Sequence, residues 1–242
     1  MKCRNLLVSV MLGCALAASP AMAKKKAKDI VVEKAPVALS TSVNTDMSVE
    51  PENILLLDLS NGGRVAIRLM PSWAPGHVER IKTLTQRGFY NGVVFHRVID
   101  GFMAQTGDPK GTGEGGSDLP DLKAEFNMVP HMRGSVSMAR TNEPDSANSQ
   151  FFIVFFPRFA LDKRYTNFGR VISGMQYVDT IERGEPPQNP TRILQASLAS
   201  EGKAQMMPPP PAPPVAEAPV PAPAALAVPP AKTAVKAAAK KN

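Results

Sequence analysis

The chain has 242 residues, 43% of them apolar and 6% aromatic, with a formal net charge of +7. That length fits one domain with tails, and the apolar share can fill a sizeable core. Both cysteines, Cys3 and Cys14, lie at the extreme N-terminus, so a chain processed beyond them has neither a disulfide nor a catalytic thiol, and a charge this modest does not by itself indicate a nucleic-acid partner.

The first residues read as an export signal. Lys2 and Arg4 form a basic start, Leu6 to Ala18 is an apolar run, and Ala21-Met22-Ala23 is a small-x-small cleavage site followed by Lys24-Lys25-Lys26. The expectation is a signal peptide over 1–23 and a soluble periplasmic or secreted product. Met11-Leu12-Gly13-Cys14 is the competing reading, a loose lipoprotein box that would place a lipid on Cys14. Residues 24–50 turn from basic to Val/Thr/Ser-rich without a helical period and read as a flexible leader.

A domain is expected over 51–200. Ile54 to Leu59 and Arg64 to Leu69 read as strands joined by Ser60-Asn61-Gly62-Gly63, a strong hairpin signal. A helix follows, opened by Pro75, carrying Val78, Ile81 and Leu84 on one face and closed by Gly88. Further strands are expected over Val93 to Val98, Gly134 to Ala139, Phe151 to Phe155, Phe168 to Ile172 and Ile193 to Leu198, with a second short helix from Met175 to Arg183. Short strands with two helices suit a closed β-barrel capped by helices, or an α+β sandwich, and the pattern alone does not separate them.

Residues 201–242 form a Pro/Ala/Lys-rich tail with eleven prolines between Pro208 and Pro230. Such a segment forms neither helix nor ladder and is expected to be a disordered, semi-extended spacer. Its terminal lysines, Lys232, Lys236, Lys240 and Lys241, read as a solvated end or as a weak tether to an anionic envelope surface.

Several chemistries are set aside by context. Gly111-Thr112-Gly113-Glu114-Gly115-Gly116 spells a dinucleotide fingerprint, but Asp108-Pro109 precedes it and Pro120 follows, so no strand enters and no helix opens. His77, His96 and His131 lack metal-ligand spacing and read as structural. What stands out is Arg97 and Gln105 among Phe95, Phe102 and Met103. From the residues alone, Arg97 is as readily a surface ion pair as a group in a site.

Three segments resolve that choice by resemblance. FHRVIDGFMAQTGDPKGTGEGG (Phe95 to Gly116), GSVSMARTNEPDSANSQFFIVF (Gly134 to Phe155) and FALDKRYTNFGRVISGM (Phe159 to Met175) resemble the signature segments of the cyclophilins, in the family's order and spacing. Ala74-Pro75 and Arg87-Gly88-Phe89-Tyr90 fit as well, and the likeness runs from about Asn53 to Leu198. It implies a mainly β fold, a closed eight-stranded antiparallel β-barrel capped by two α-helices, and peptidyl-prolyl cis/trans isomerase activity on Pro-containing polypeptides during folding of exported proteins. The residues themselves point to no cofactor, no metal and no nucleic acid, no apolar run beyond the signal reaches the length of a transmembrane segment, and nothing in the sequence suggests more than a monomer.

By the same resemblance Arg97 is the catalytic arginine, and Gln105 contacts the substrate backbone beside it. Phe102, Met103, Phe152 and Leu161 wall the proline pocket, Ala139 and Arg140 lie where the main chain pairs with bound peptide, and Tyr165 stands where animal enzymes usually have histidine. Three positions depart from the pattern. Ala160 replaces the rim tryptophan, which argues against tight cyclosporin binding, and Phe159 is expected to fill part of that gap. Arg140 replaces an asparagine and Tyr165 that histidine.

Overall fold

A computed structural model describes residues 39–209. The signal peptide, the lipoprotein alternative at Cys14 and the prolines and lysines beyond residue 209 lie outside the described residues.

Eight antiparallel strands form one sheet: β1 (Ile54–Leu59), β2 (Arg64–Leu69), β3 (Arg97–Ile99), β4 (Met103–Thr106), β5 (Ser135–Met138), β6 (Phe151–Val154), β7 (Asn167–Ser173) and β8 (Ile193–Leu198). Their order is β3-β4-β6-β5-β7-β2-β1-β8. The expected closed barrel is therefore met in part. The hydrogen-bonded ladder ends at β3 and β8, and only isolated bridges, Val94 with Arg192 and Val98 with Gly184, join the flanking segments. The reason is local: β3 is three residues long and keeps only Arg97 and Val98 of the strand expected over 93–98.

β4 is the strand that the sequence pattern did not supply. It is four residues long, and neighbouring side chains pack on opposite faces of the sheet. Ala104 faces the main core while Met103 packs in a separate outer cluster. β6 divides the same way, with Phe151 and Ile153 in the core and Phe152 and Val154 outside. This period of two is what puts an apolar surface on both sides of the sheet. The core proper joins Leu55, Leu57, Val65, Ile67, Phe151 and Phe168 to Val78, Ile81 and Leu84 of the first helix.

That helix, α1, runs Pro75–Gln86 with Pro in its first turn. Its Ncap residue, Ala74, offers no side-chain acceptor. The carboxylate of Glu125 takes the role from a distant loop, accepting from Gly76 N at 3.0 Å and His77 N at 3.0 Å. The second helix, α2 (Met175–Asp179), stops short of the expected Arg183. Side chains satisfy its final carbonyls: Asn61 Nδ2 and Thr180 Oγ1 donate to Tyr177 O, and Arg183 Nη1 donates to Asp179 O. With those acceptors occupied, a further turn is not required.

Part of the expected leader is held on the sheet. Arg68, buried on β2, donates from Nε to Asn44 O at 3.1 Å, from Nη1 to Val49 O at 2.6 Å and from Nη2 to Asp46 O. Trp73 Nε1 donates to Ser40 O at 2.8 Å. At the other end, Met206 N donates to Asp58 at 2.7 Å, so the first residues of the expected tail also lie along β1.

Candidate active site

The outer apolar cluster forms the floor of a cavity of about 760 Å³. All nine residues singled out by resemblance line it. Arg97 comes from β3; Met103 and Gln105 come from β4, with Phe102 just before it. Phe152 comes from β6, Leu161 from the 3-10 turn Phe159–Leu161, and Ala139, Arg140 and Tyr165 from the connections after β5 and before β7. Register explains the assembly: Arg97 lies opposite Gln105, and Gln105 opposite Phe152. One cross-strand row thus carries a cation, an amide and an aromatic ring on the same face.

The rings are packed by edges. Phe152 lies 5.8 Å from Tyr165 at 81° and 6.5 Å from Phe102 at 52°. Arg140 sits over the Tyr165 ring at 4.6 Å. Its guanidinium is already engaged with backbone, donating to Thr141 O at 2.8 Å and Arg164 O at 2.8 Å, so Arg140 frames the wall. Phe159 does not fill the gap at Ala160. It is 62% exposed and does not line the cavity.

Arg97 is held from two sides. Nε donates to Glu185 Oε2 at 2.7 Å, and Nη1 makes a longer contact to Gln105 Oε1 at 3.4 Å. Among the described residues Nη2 has no hydrogen-bond partner. The surface ion pair and the cleft position, alternatives in the sequence, are both present. The amide of Gln105 is oriented in turn: its Nε2 donates to Gln150 Oε1 at 2.8 Å, and Gln150 Nε2 donates to Gly113 O at 2.9 Å and Gly115 O at 2.8 Å. Each amide oxygen and nitrogen therefore has one consistent assignment.

Sequence reasoning missed Gln150, Glu185 and Pro186 as neighbours of this cavity. Gln150 lay inside a recognised segment, yet its contact needs the fold. Glu185 and Pro186 line the wall beyond β3 and belong to none of the three segments.

The glycine-rich run closes the rim around one carboxylate. Asp108 is fully buried and accepts from Lys110 N at 2.8 Å, Thr112 N at 2.9 Å and Gly113 N at 2.6 Å. Burial acts to raise its pKa, and these donors outweigh it, holding the carboxyl at about 2. A Cβ at Gly115 would stand 1.9 Å from Asp108 Oδ1, so the backbone approach requires glycine. The fingerprint-like spacing thus serves an Asp-centred loop, as the missing helix indicates.

The geometry is a charged donor beside an apolar notch, on a cross-strand row. A family model, Cyclophilin type peptidyl-prolyl cis-trans isomerase/CLD, matches residues 55–198. The chain belongs to the cyclophilins. Its activity is peptidyl-prolyl cis/trans isomerisation. The chain is 47% identical over 184 residues to a probable peptidyl-prolyl cis-trans isomerase of Brucella suis, covering 69% of this chain and 93% of that one. It is 39% identical over 148 residues to peptidyl-prolyl cis-trans isomerase-like 1 of Aspergillus niger, covering 57% of this chain and 91% of that one. Among solved structures, the cyclophilin AquaCyp293 from Hirschia baltica aligns with a TM-score of 0.59 at 30% identity, over 63% of this chain and 76% of its own. A Cryptosporidium parvum cyclophilin type isomerase, crystallised in the presence of the dipeptide Ala-Pro, aligns with a TM-score of 0.56 at 27% identity, over 60% of this chain and 98% of its own. No helix among the described residues is long and apolar enough to cross a membrane.

Proposed function

We propose that this cyclophilin acts on X-Pro bonds of exported polypeptides, with Arg97 as the catalytic group. The observation that carries the reading is a guanidinium whose Nη2 has no partner among the described residues, at the edge of the apolar cluster of Phe102, Met103, Phe152 and Leu161.

The reaction needs little else. Conjugation between nitrogen and carbonyl sets a rotation barrier of about 18–20 kcal/mol, and uncatalysed X-Pro exchange takes on the order of 10–100 s. As the bond twists, the proline nitrogen becomes pyramidal and regains a lone pair. A fixed N–H donor beside it favours the twisted state over either planar one. Arg suits this role because it stays charged and presents a planar fork of donors. The apolar floor grips the pyrrolidine ring while the preceding residue turns, with Tyr165 buttressing Phe152. Gln105 contacts the substrate backbone, and the main chain at Ala139 and Arg140 pairs with the rest of the peptide. No proton or covalent bond changes hands. That the Cryptosporidium neighbour was crystallised in the presence of Ala-Pro supports a small prolyl ligand.

The setting is proposed from sequence: a signal peptide over 1–23 cleaved near Ala23, a periplasmic or secreted monomer, and a tail able to tether weakly to anionic surfaces. Lipidation at Cys14 is the alternative. The proposed division is a leader over 24–50, the isomerase domain over 51–200 and a tail over 201–242, with residues 40–50 and 203–206 hydrogen-bonded to the domain. N-terminal sequencing of protein from fractionated cells tests export: a start at Lys24 in the exported fraction supports it, and an intact Met1 in the cytoplasm rejects it. A refolding assay on a protein limited by one X-Pro bond tests the reaction, and no acceleration of the slow phase rejects it.

A further inference from the structure

We infer that Glu185 is a positioning residue for Arg97, fixing the guanidinium so that Nη2 is the donor presented to the substrate; the inference rests on the reading of Arg97 given above. Nothing in the recognised segments assigns Glu185 a role.

The backbone brings the two together. Val98 and Gly184 exchange both of their hydrogen bonds, at 2.8 and 2.9 Å. In an antiparallel bridge the flanking residues then face each other, which sets Arg97 against Glu185. The segment carrying Glu185 is itself fixed. Arg183 stacks over Phe155 at 4.3 Å and donates to Ile181 O at 2.6 Å, while Glu182 accepts from Gln188 N at 3.2 Å and Asn189 N at 3.2 Å. Gly184 has φ of +155°, and a Cβ there would stand 2.5 Å from Pro187 Cα. Only glycine allows this turn.

The guanidinium has three nitrogens and two fixed acceptors. Glu185 takes Nε at 2.7 Å, and the 3.4 Å contact of Gln105 to Nη1 is too long to hold the group alone. Both members of the ion pair are about half exposed, at 43% and 52%, so water screens most of its Coulomb energy. What the carboxylate supplies is direction: it selects one rotamer of a long side chain that otherwise has many. A donor preorganised in this way acts on the twisted state without reorganising first.

The test is a comparison of Glu185→Ala and Glu185→Gln in the full chain, by exchange NMR on an Ala-Pro peptide over a range of peptide concentrations. Glu185→Ala should lower kcat about tenfold with KM changed less than about twofold, and the Arg97 Nε–H resonance should broaden. Glu185→Gln should recover most of the loss, because its amide oxygen accepts the same Nε–H. An unchanged kcat in folded Glu185→Ala overturns the inference. So does failure of Gln alongside rescue by Glu185→Asp, which would make charge the decisive property. Arg97→Ala in the same assay separates the two levels. Full activity there rejects the catalytic reading itself, whereas loss there with an unaffected Glu185→Ala rejects only the role of Glu185.

Discussion

Glu125 grips His77 twice, accepting from its backbone N–H at 3.0 Å and meeting its ring Nδ1 at 2.6 Å. The ring is fully buried, and among the described residues its Nε2 has no partner. Burial therefore lowers the histidine pKa below 6.5 despite the carboxylate, because a proton on Nε2 would find no acceptor. His131 repeats the arrangement with Asp162 at 2.8 Å, again with Nε2 buried and unpartnered and its pKa lowered by burial. Both rings are harder to protonate in the folded chain than in the unfolded one. The unfolded chain takes up these protons first, so the stability they confer is complete above about pH 6.5 and lost as pH falls below it. Urea midpoints measured from pH 7.5 to 5 should decline, with a slope of at most about 1.4 kcal/mol per pH unit for each histidine. A flat profile contradicts the downward shifts.

Asp108 acts at lower pH. Its carboxyl, held at about 2, contributes stability that is present above the ordinary value of 3.8 and lost as pH falls toward 2. Asp108→Ala removes the acceptor for the turn at 110–113 and should cost about 2 kcal/mol at neutral pH, measured by urea unfolding. Because Gly111, Thr112 and Gly113 line the cavity, the KM for an X-Pro peptide should rise as well.

The N-terminal strap is testable through fluorescence, since Trp73 is the chain's single tryptophan. Deleting residues 24–50 takes away Ser40 O from the indole and leaves Arg68, 2% exposed, without the carbonyls of Asn44, Asp46, Val49 and Glu50. A buried cation stripped of acceptors is costly. The truncated protein should lose roughly 3 kcal/mol and show a red-shifted emission. Unchanged stability and emission would mean that the strap contributes nothing.

Phe152 joins stability to binding. It is 4% exposed and stacks between Phe102 and Tyr165. Phe152→Ala should destabilise by about 3–5 kcal/mol and raise KM more than it lowers kcat, since it removes the floor and leaves the guanidinium in place. Unfolding and steady-state measurements on the same preparation check both effects.

What was legible in the sequence depended on period and local chemistry. Val78, Ile81 and Leu84 declared α1 by spacing, and Asn61-Gly62 declared the first hairpin. The nine cavity residues came from recognised segments, and the fold brings all nine to one cavity. β4 escaped because four residues with a Gln and a Thr carry too little alternation to register. The docking of residues 40–50 escaped because its acceptors are backbone carbonyls, which leave no trace in side-chain composition. Glu185 escaped because it reaches Arg97 across 88 residues through a two-residue bridge, a contact that only the folded chain creates. The ladder's ends at β3 and β8 were equally unreadable, being fixed by where pairing stops.

Exchange NMR on an Ala-Pro peptide with wild type and Arg97→Ala bears most directly on how this cyclophilin works. The variant should fold with unchanged unfolding behaviour and lose about 10²–10³ in catalysed rate, equivalent to roughly 2.7–4 kcal/mol. A folded Arg97→Ala protein that exchanges the peptide at the wild-type rate would contradict the account.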